Sequence, residues 1–154
     1  PPMRFLTLIC LGMLAVPQAQ AFEPVLDETY SGVTRQRVGV IDNPDTFCRA
    51  WDKIYSIMWP TPVCTPELVD FSSDVAIAVA LGSRSNGCYG VRIDAIVTDP
   101  ADPSAETVVE VVETTPGPGC ICSMAIVQPV TIVSTPAPTG PVRFHRTVEV
   151  LACE

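Results

Sequence analysis

Histidine is nearly missing from this chain: His145 is the single one in 154 residues. A Ser/His/Asp triad or a histidine-built zinc site would have to be assembled around that one side chain. No serine stands in a G-x-S-x-G elbow, and no glycine-rich phosphate cradle is present. Cations are scarce as well, 9 lysines and arginines against 17 aspartates and glutamates, for a formal charge of −8. A surface of that sign repels nucleic acid and anionic membrane, so neither is expected as a partner. No apolar run reaches the ~20 residues that a membrane-spanning helix needs. There is no C-x-x-C pair, no internal repeat and no long charge run. Paired carboxylates such as Asp70 and Asp74 occur, as they do in any acidic protein. No catalytic residue, cofactor or metal site is therefore expected, and the chain reads as a protein that is not an enzyme.

What is present begins at residue 3. Met3 and Arg4 form a short positive head, Phe5 to Val16 an apolar core, and Ala19-Gln20-Ala21 a small-x-small cleavage site. This is the layout of a secretory signal peptide over residues 1–21. Pro1 and Pro2 precede the natural-looking start at Met3 and read as an artefact of the gene start. Cys10 is preceded by Thr7-Leu8-Ile9 rather than by small residues, so it reads as an apolar member of the signal and not as a lipid anchor. The expected location is the periplasm or the medium, after bacterial-type export, with no membrane insertion once the signal is cut. Loss of Arg4 takes the charge to −9, since 8 cations then face 17 anions.

Outside the cytoplasm thiols oxidise. Without Cys10, six of the 7 cysteines remain: Cys48, Cys64, Cys88, Cys120, Cys122 and Cys153. An even set of this kind predicts three disulfides of undetermined pairing. Cys120 and Cys122 lie too close for an easy mutual bridge, so each is expected to pair with a distant cysteine.

Residues 22–33 are acidic and turn-like, and read as a flexible arm ahead of a single domain over 34–154. Val38 to Ile41 is a short strand. Asn43-Pro44-Asp45 then starts a helix: the asparagine caps free amides, proline suits the first turn, and aspartate complements the helix dipole. Phe47, Trp51, Ile54, Tyr55 and Met58 recur at helical spacing, which predicts an amphipathic helix near 44–57 with Trp51 as a core anchor. Val75 to Leu81 is a continuous apolar run, as in a central strand covered on both faces. Strands are also predicted at Tyr89–Thr98, Thr107–Thr114 and Met124–Val133. The last holds Pro129 and should sit at an edge or bulge there. Val142 to Leu151 closes the chain, with Val142, Phe144, Val148 and Val150 on one face and Arg143, His145, Thr147 and Glu149 on the other. Ser83 to Gly87 reads as a turn in which Asn86-Gly87 supplies positive backbone angles. The expected fold is α+β: a mostly antiparallel sheet, as a small partly closed barrel or sandwich, with the helix packed on one opening and disulfides bracing it. An all-β sandwich with a peripheral helical turn is the competing picture.

The run Val69-Asp70-Phe71-Ser72, the strand Val75 to Gly82, and the stretch Ser83 to Ile93 with Gly87, Tyr89 and Gly90 resemble the PrcB C-terminal domain family. Trp51, Pro116-Gly117, Gln128-Pro129, Pro141-Val142 and Phe144 extend the similarity over roughly residues 38–144. One member of the usual glycine pair is Cys88 here. The resemblance implies an exported accessory module without catalysis of its own, whose partner is a secreted protease that it stabilises or assists. Recognition is expected on the turn formed by Ser83, Arg84, Ser85, Asn86 and Gly87, with Tyr89 and Arg92, because loops on a rigid scaffold commonly carry it. The alternatives are a protease inhibitor presenting the braced loop Pro116–Ser123, an unrecognised periplasmic enzyme, and a structural envelope component.

Overall fold

The side-chain alternation in one strand organises the molecule. In the run from Val75 to Leu81, the odd positions Val75, Ile77, Val79 and Leu81 pack in one apolar core, and the even positions Ala76 and Ala80 in another. Successive strand residues point to opposite faces, so a strand buried on both sides joins two cores. The structure, a computed structural model, describes residues 18–99, 101, 102 and 104–153.

Its strands are β1 (Gln18–Ala19), β2 (Glu23–Glu28), β3 (Arg37–Ile41), β4 (Asp74–Ala80), β5 (Gly90–Thr98), β6 (Thr107–Pro116), β7 (Val130–Pro136) and β8 (Val142–Leu151). They form two four-stranded sheets, ordered β1-β5-β6-β8 and β2-β7-β4-β3. Every pairing is antiparallel except β6 with β8. The chain leaves β6, crosses to the second sheet as β7, and returns as β8 beside β6, so two reversals make the last pair parallel. Of the two architectures expected, the sandwich forms and no closed barrel does. Both faces of β4 are covered, as its unbroken apolar run predicts.

The one α-helix among the described residues, α1 (Pro44–Ile54), begins where the sequence places it: the Asn43 side chain accepts from the Thr46 amide at 2.9 Å, with Pro44 in the first turn. A 3₁₀ turn over Tyr55–Ile57 extends it. Phe47, Trp51, Ile54 and Tyr55 are buried against Leu26, Ala76, Val130 and Ile132. The helix thus covers the outer face of the second sheet rather than an opening of a barrel. Trp51 is the core anchor, and its Nε1 donates to the Pro62 carbonyl at 3.0 Å.

Three disulfides form: Cys48–Cys64, Cys88–Cys122 and Cys120–Cys153. Cys120 and Cys122 each reach a distant partner, as their spacing requires. By chain entropy alone, the 16-residue separation of the first pair contributes about 3 kcal/mol and the 34- and 33-residue separations about 4 kcal/mol each.

Two local expectations are corrected. Residues 22–33 are not a flexible arm: Glu23–Glu28 is an edge strand on β7, with Leu26 buried and the Tyr55 hydroxyl donating to Glu28 Oε1 at 2.9 Å. Backbone pairing does not depend on the acidic composition that suggested an arm. The strand predicted over 124–133 starts only at Val130, past Pro129, and is an inner strand of its sheet rather than an edge. Proline lacks the donor that an inner ladder requires, so the ladder begins after it. Residues 1–17 of the expected signal peptide lie outside the described residues, while Gln18–Ala19 pairs with Val97 and Thr98 of β5.

Candidate partner-binding surface

The turn after β4 is built around Gly82, whose φ of +73° allows its backbone to close on residues 34–36. Ser83 and Ser85 are exposed. Asn86 and Gly87 do not have the positive backbone angles expected of them. Instead the Asn86 side chain accepts from the Cys88 amide at 3.0 Å, and the Gly87 amide donates to the Ser123 carbonyl at 3.0 Å. The reason is topological. β4 and β5 belong to different sheets, so this segment crosses between layers and need not satisfy hairpin geometry.

Arg84 is drawn inward. Its amide and carbonyl bond to Val127 at 2.8 and 3.0 Å, and its Nε lies 3.1 Å from Glu113 Oε1. The Arg146 guanidinium meets the other oxygen of the same carboxylate. The Glu113 side chain is 4 % exposed, so a desolvated anion on β6 is held between two cations. Such an arrangement fixes geometry more than it adds net stability. Arg92 sits apart from the turn on β5, bonded to Glu149 at 2.7 Å and Asp94 at 3.3 Å. The Glu149 carboxylate raises the pKa of the Arg92 guanidinium above its ordinary value. Tyr89 is half-buried. The structure therefore gathers Ser83 to Gly87 on one crossing segment, uses Arg84 as a brace for Glu113, and commits Arg92 to its own ion pairs.

That segment is joined to a second loop which the sequence reading did not single out as apolar surface. Cys88–Cys122 and Gly87–Ser123 tie it to residues 117–126, and Cys120–Cys153 ties the same loop to the chain's end. On this loop Ile121 is 100 % exposed, Met124 90 % and Ile126 63 %. The one local signal is the position of Ile121, between two cysteines and just after the Pro116-Gly117-Pro118-Gly119 loop. His145, on the polar face as expected, pairs with Glu110.

The described domain is thus a disulfide-braced two-sheet sandwich with one covering helix, whose stapled end presents apolar side chains to solvent. Residues 75–136 match the family model described as PrcB C-terminal, and the resemblance read from the sequence stands on that match. The matched segment runs from β4 through β7 and contains both tied loops. No curated protein and no solved structure matches the chain.

Proposed function

We propose that this protein is an exported, non-catalytic interaction module of the PrcB type, which holds a secreted protease through its stapled end. The observation that carries the reading is the bare apolar trio Ile121, Met124 and Ile126 on a loop fixed by two disulfides. Large exposed hydrophobes on a rigid support mark contact surfaces, since their burial on association is favourable and little loop entropy is lost. The six bridged cysteines suit an oxidising compartment. Among the described residues no helix is long and apolar enough to cross a membrane.

The test is the active half-life of the host's secreted subtilisin-like protease, alone, with the disulfide-intact protein, and with Ile121→Asp/Met124→Asp. Both side chains are solvent-exposed, so the double variant keeps the fold. The native protein should lengthen the half-life and the variant should return it to the unaided value. Equal protection by both proteins would remove this surface from the function.

A second reading rests on Ile121 itself, held outward between two bridged cysteines in the manner of an inhibitory loop. It expects stoichiometric inhibition of a protease, lost in Ile121→Asp, where the first reading expects full activity and a longer life.

A further inference from the structure

A cavity of about 620 Å³ lies between α1 and the second sheet. Its floor is made of small residues. Gly39, Ala78 and Ala80 share one face of β3 and β4, flanked by Val130 and Ile132 of β7. The helix adds Thr46, Ala50 and Lys53, spaced along one side. A volume of this size and apolar character is that of a small-molecule site.

Two further observations point to a ligand. Gly39 sits inside a strand with ordinary backbone angles, and a Cβ built on it meets nothing within 4 Å. Glycine in a strand interior costs stability, and here neither conformation nor crowding requires it. The space above it is open to an occupant. The second observation is how the cations are distributed. Arg84, Arg92, Arg143 and Arg146 each pair with a carboxylate. Among the described residues Arg35, Arg37, Arg49 and Lys53 pair with none, and three of these four, Arg35, Arg37 and Lys53, line this cavity. In a chain of net charge −8, uncompensated positive charge converges on an apolar pocket.

The rim is held in place. The Gly32 amide donates to the Ile54 carbonyl at 2.8 Å, the Ser83 amide to Thr34 at 3.1 Å, and Gly82 packs on the backbone of residues 34–36. Arg35 is thereby carried on a segment fixed both to the helix end and to the sheet.

We propose that this cavity binds an anionic single-chain amphiphile of the fatty-acid type, with its hydrocarbon over Gly39 and Ala78 and its head group among Arg35, Arg37 and Lys53. A peptide fits less well. β4 is paired on both sides by β3 and β7, so free backbone groups are offered only along the outer edge of β3, and a peptide lying across Ala78 and Ala80 would bury its amides unsatisfied. This inference is independent of the role assigned to the stapled end.

The experiment is calorimetric titration of the disulfide-intact protein with laurate, with dodecyltrimethylammonium as the cation of equal tail, and with a hydrophobic tetrapeptide bearing a free C-terminal carboxylate, all below micellar concentrations. Laurate should bind at one saturable site, and the cation and the peptide at least about tenfold more weakly. Gly39→Leu fills open space and should abolish laurate binding without lowering the melting temperature. Arg35→Glu/Arg37→Glu, at exposed positions, should weaken it about tenfold, the scale of two reversed charge contacts. If Gly39→Leu fails to fold, the double arginine variant decides. No laurate binding, equal binding of the cation, tighter binding of the peptide, or unchanged affinity in the folded variants would each overturn the proposal.

Discussion

The two faces of the second sheet are built from the same strands and have opposite fates. Toward the first sheet, β4 presents Val75, Ile77 and Val79, and these interlock with Ile93, Ile96, Val109 and Val111 into a closed core. Toward the helix, it presents Ala76, Ala78 and Ala80 beside Gly39, and the helix covers only part of that face. Beneath Phe47, Trp51 and Tyr55 the packing is closed, with ring centroids 4.8–6.0 Å apart along that row. Beyond it the cavity remains. Alternate positions of one strand thus set a core on one side and a pocket on the other through side-chain volume alone, because covering layers cannot approach closely enough to fill what small residues leave empty.

The largest effect that tests this contrast is on the closed face. Ile77→Ala should lower unfolding free energy by about 2–5 kcal/mol, since the 1 % exposed side chain leaves a void in a packed core. Ala78→Gly, one residue along on the cavity face, should cost only about 0.5–1 kcal/mol. Chemical denaturation of both checks this, and equal losses would break the contrast.

A smaller effect concerns the polar end of the closed core. Glu113→Gln removes the anion between Arg84 and Arg146, whose side chains are 21 % and 37 % exposed and partly hydrated. We expect a loss of about 2 kcal/mol, below the usual cost of an orphaned buried charge. A denaturation midpoint equal to that of the parent would show that the clamp is only positional.

The smallest effect lies at the sheet's edge. Burial, and then the neighbouring charge of Glu28, raise the Asp27 carboxyl above its ordinary 3.8. The folded state therefore holds this proton more tightly than the unfolded chain does. The stability this provides is present below pH 3.8 and is lost as pH rises through the folded pKa. Asp27→Asn should match the parent in acid and melt slightly higher near neutrality. A difference that grew on acidification would reverse the sign. The Tyr55 hydroxyl, pushed up to about 12 by burial and by its bond to Glu28, stays protonated throughout this range.

Much of this was legible locally. Asn43-Pro44-Asp45 stops one backbone and starts another by contacts within three residues, and the helix begins there. The cysteine parity and the crowding of Cys120 with Cys122 foretold bridges to distant partners. Less legible was the turn at Ser83 to Gly87, where Asn-Gly reads as a hairpin. The segment crosses between sheets, and that depends on pairings of β4 and β5 with strands far away in sequence. Arg84 reads as an outward recognition residue of that turn because Glu113, 29 positions on, is invisible to any local pattern.

The sequence by itself determined the helix and its buried stripe, the strand count in its main part, the three disulfides and the family resemblance, because capping, periodicity and parity are short-range or compositional. The tertiary structure decided the pairing of the cysteines, the two-sheet arrangement, the burial of Arg84, the exposure of Ile121 and the cavity over Gly39. These depend on which surfaces meet. An alanine or glycine reads the same in a sequence whether a neighbour packs against it or leaves it open.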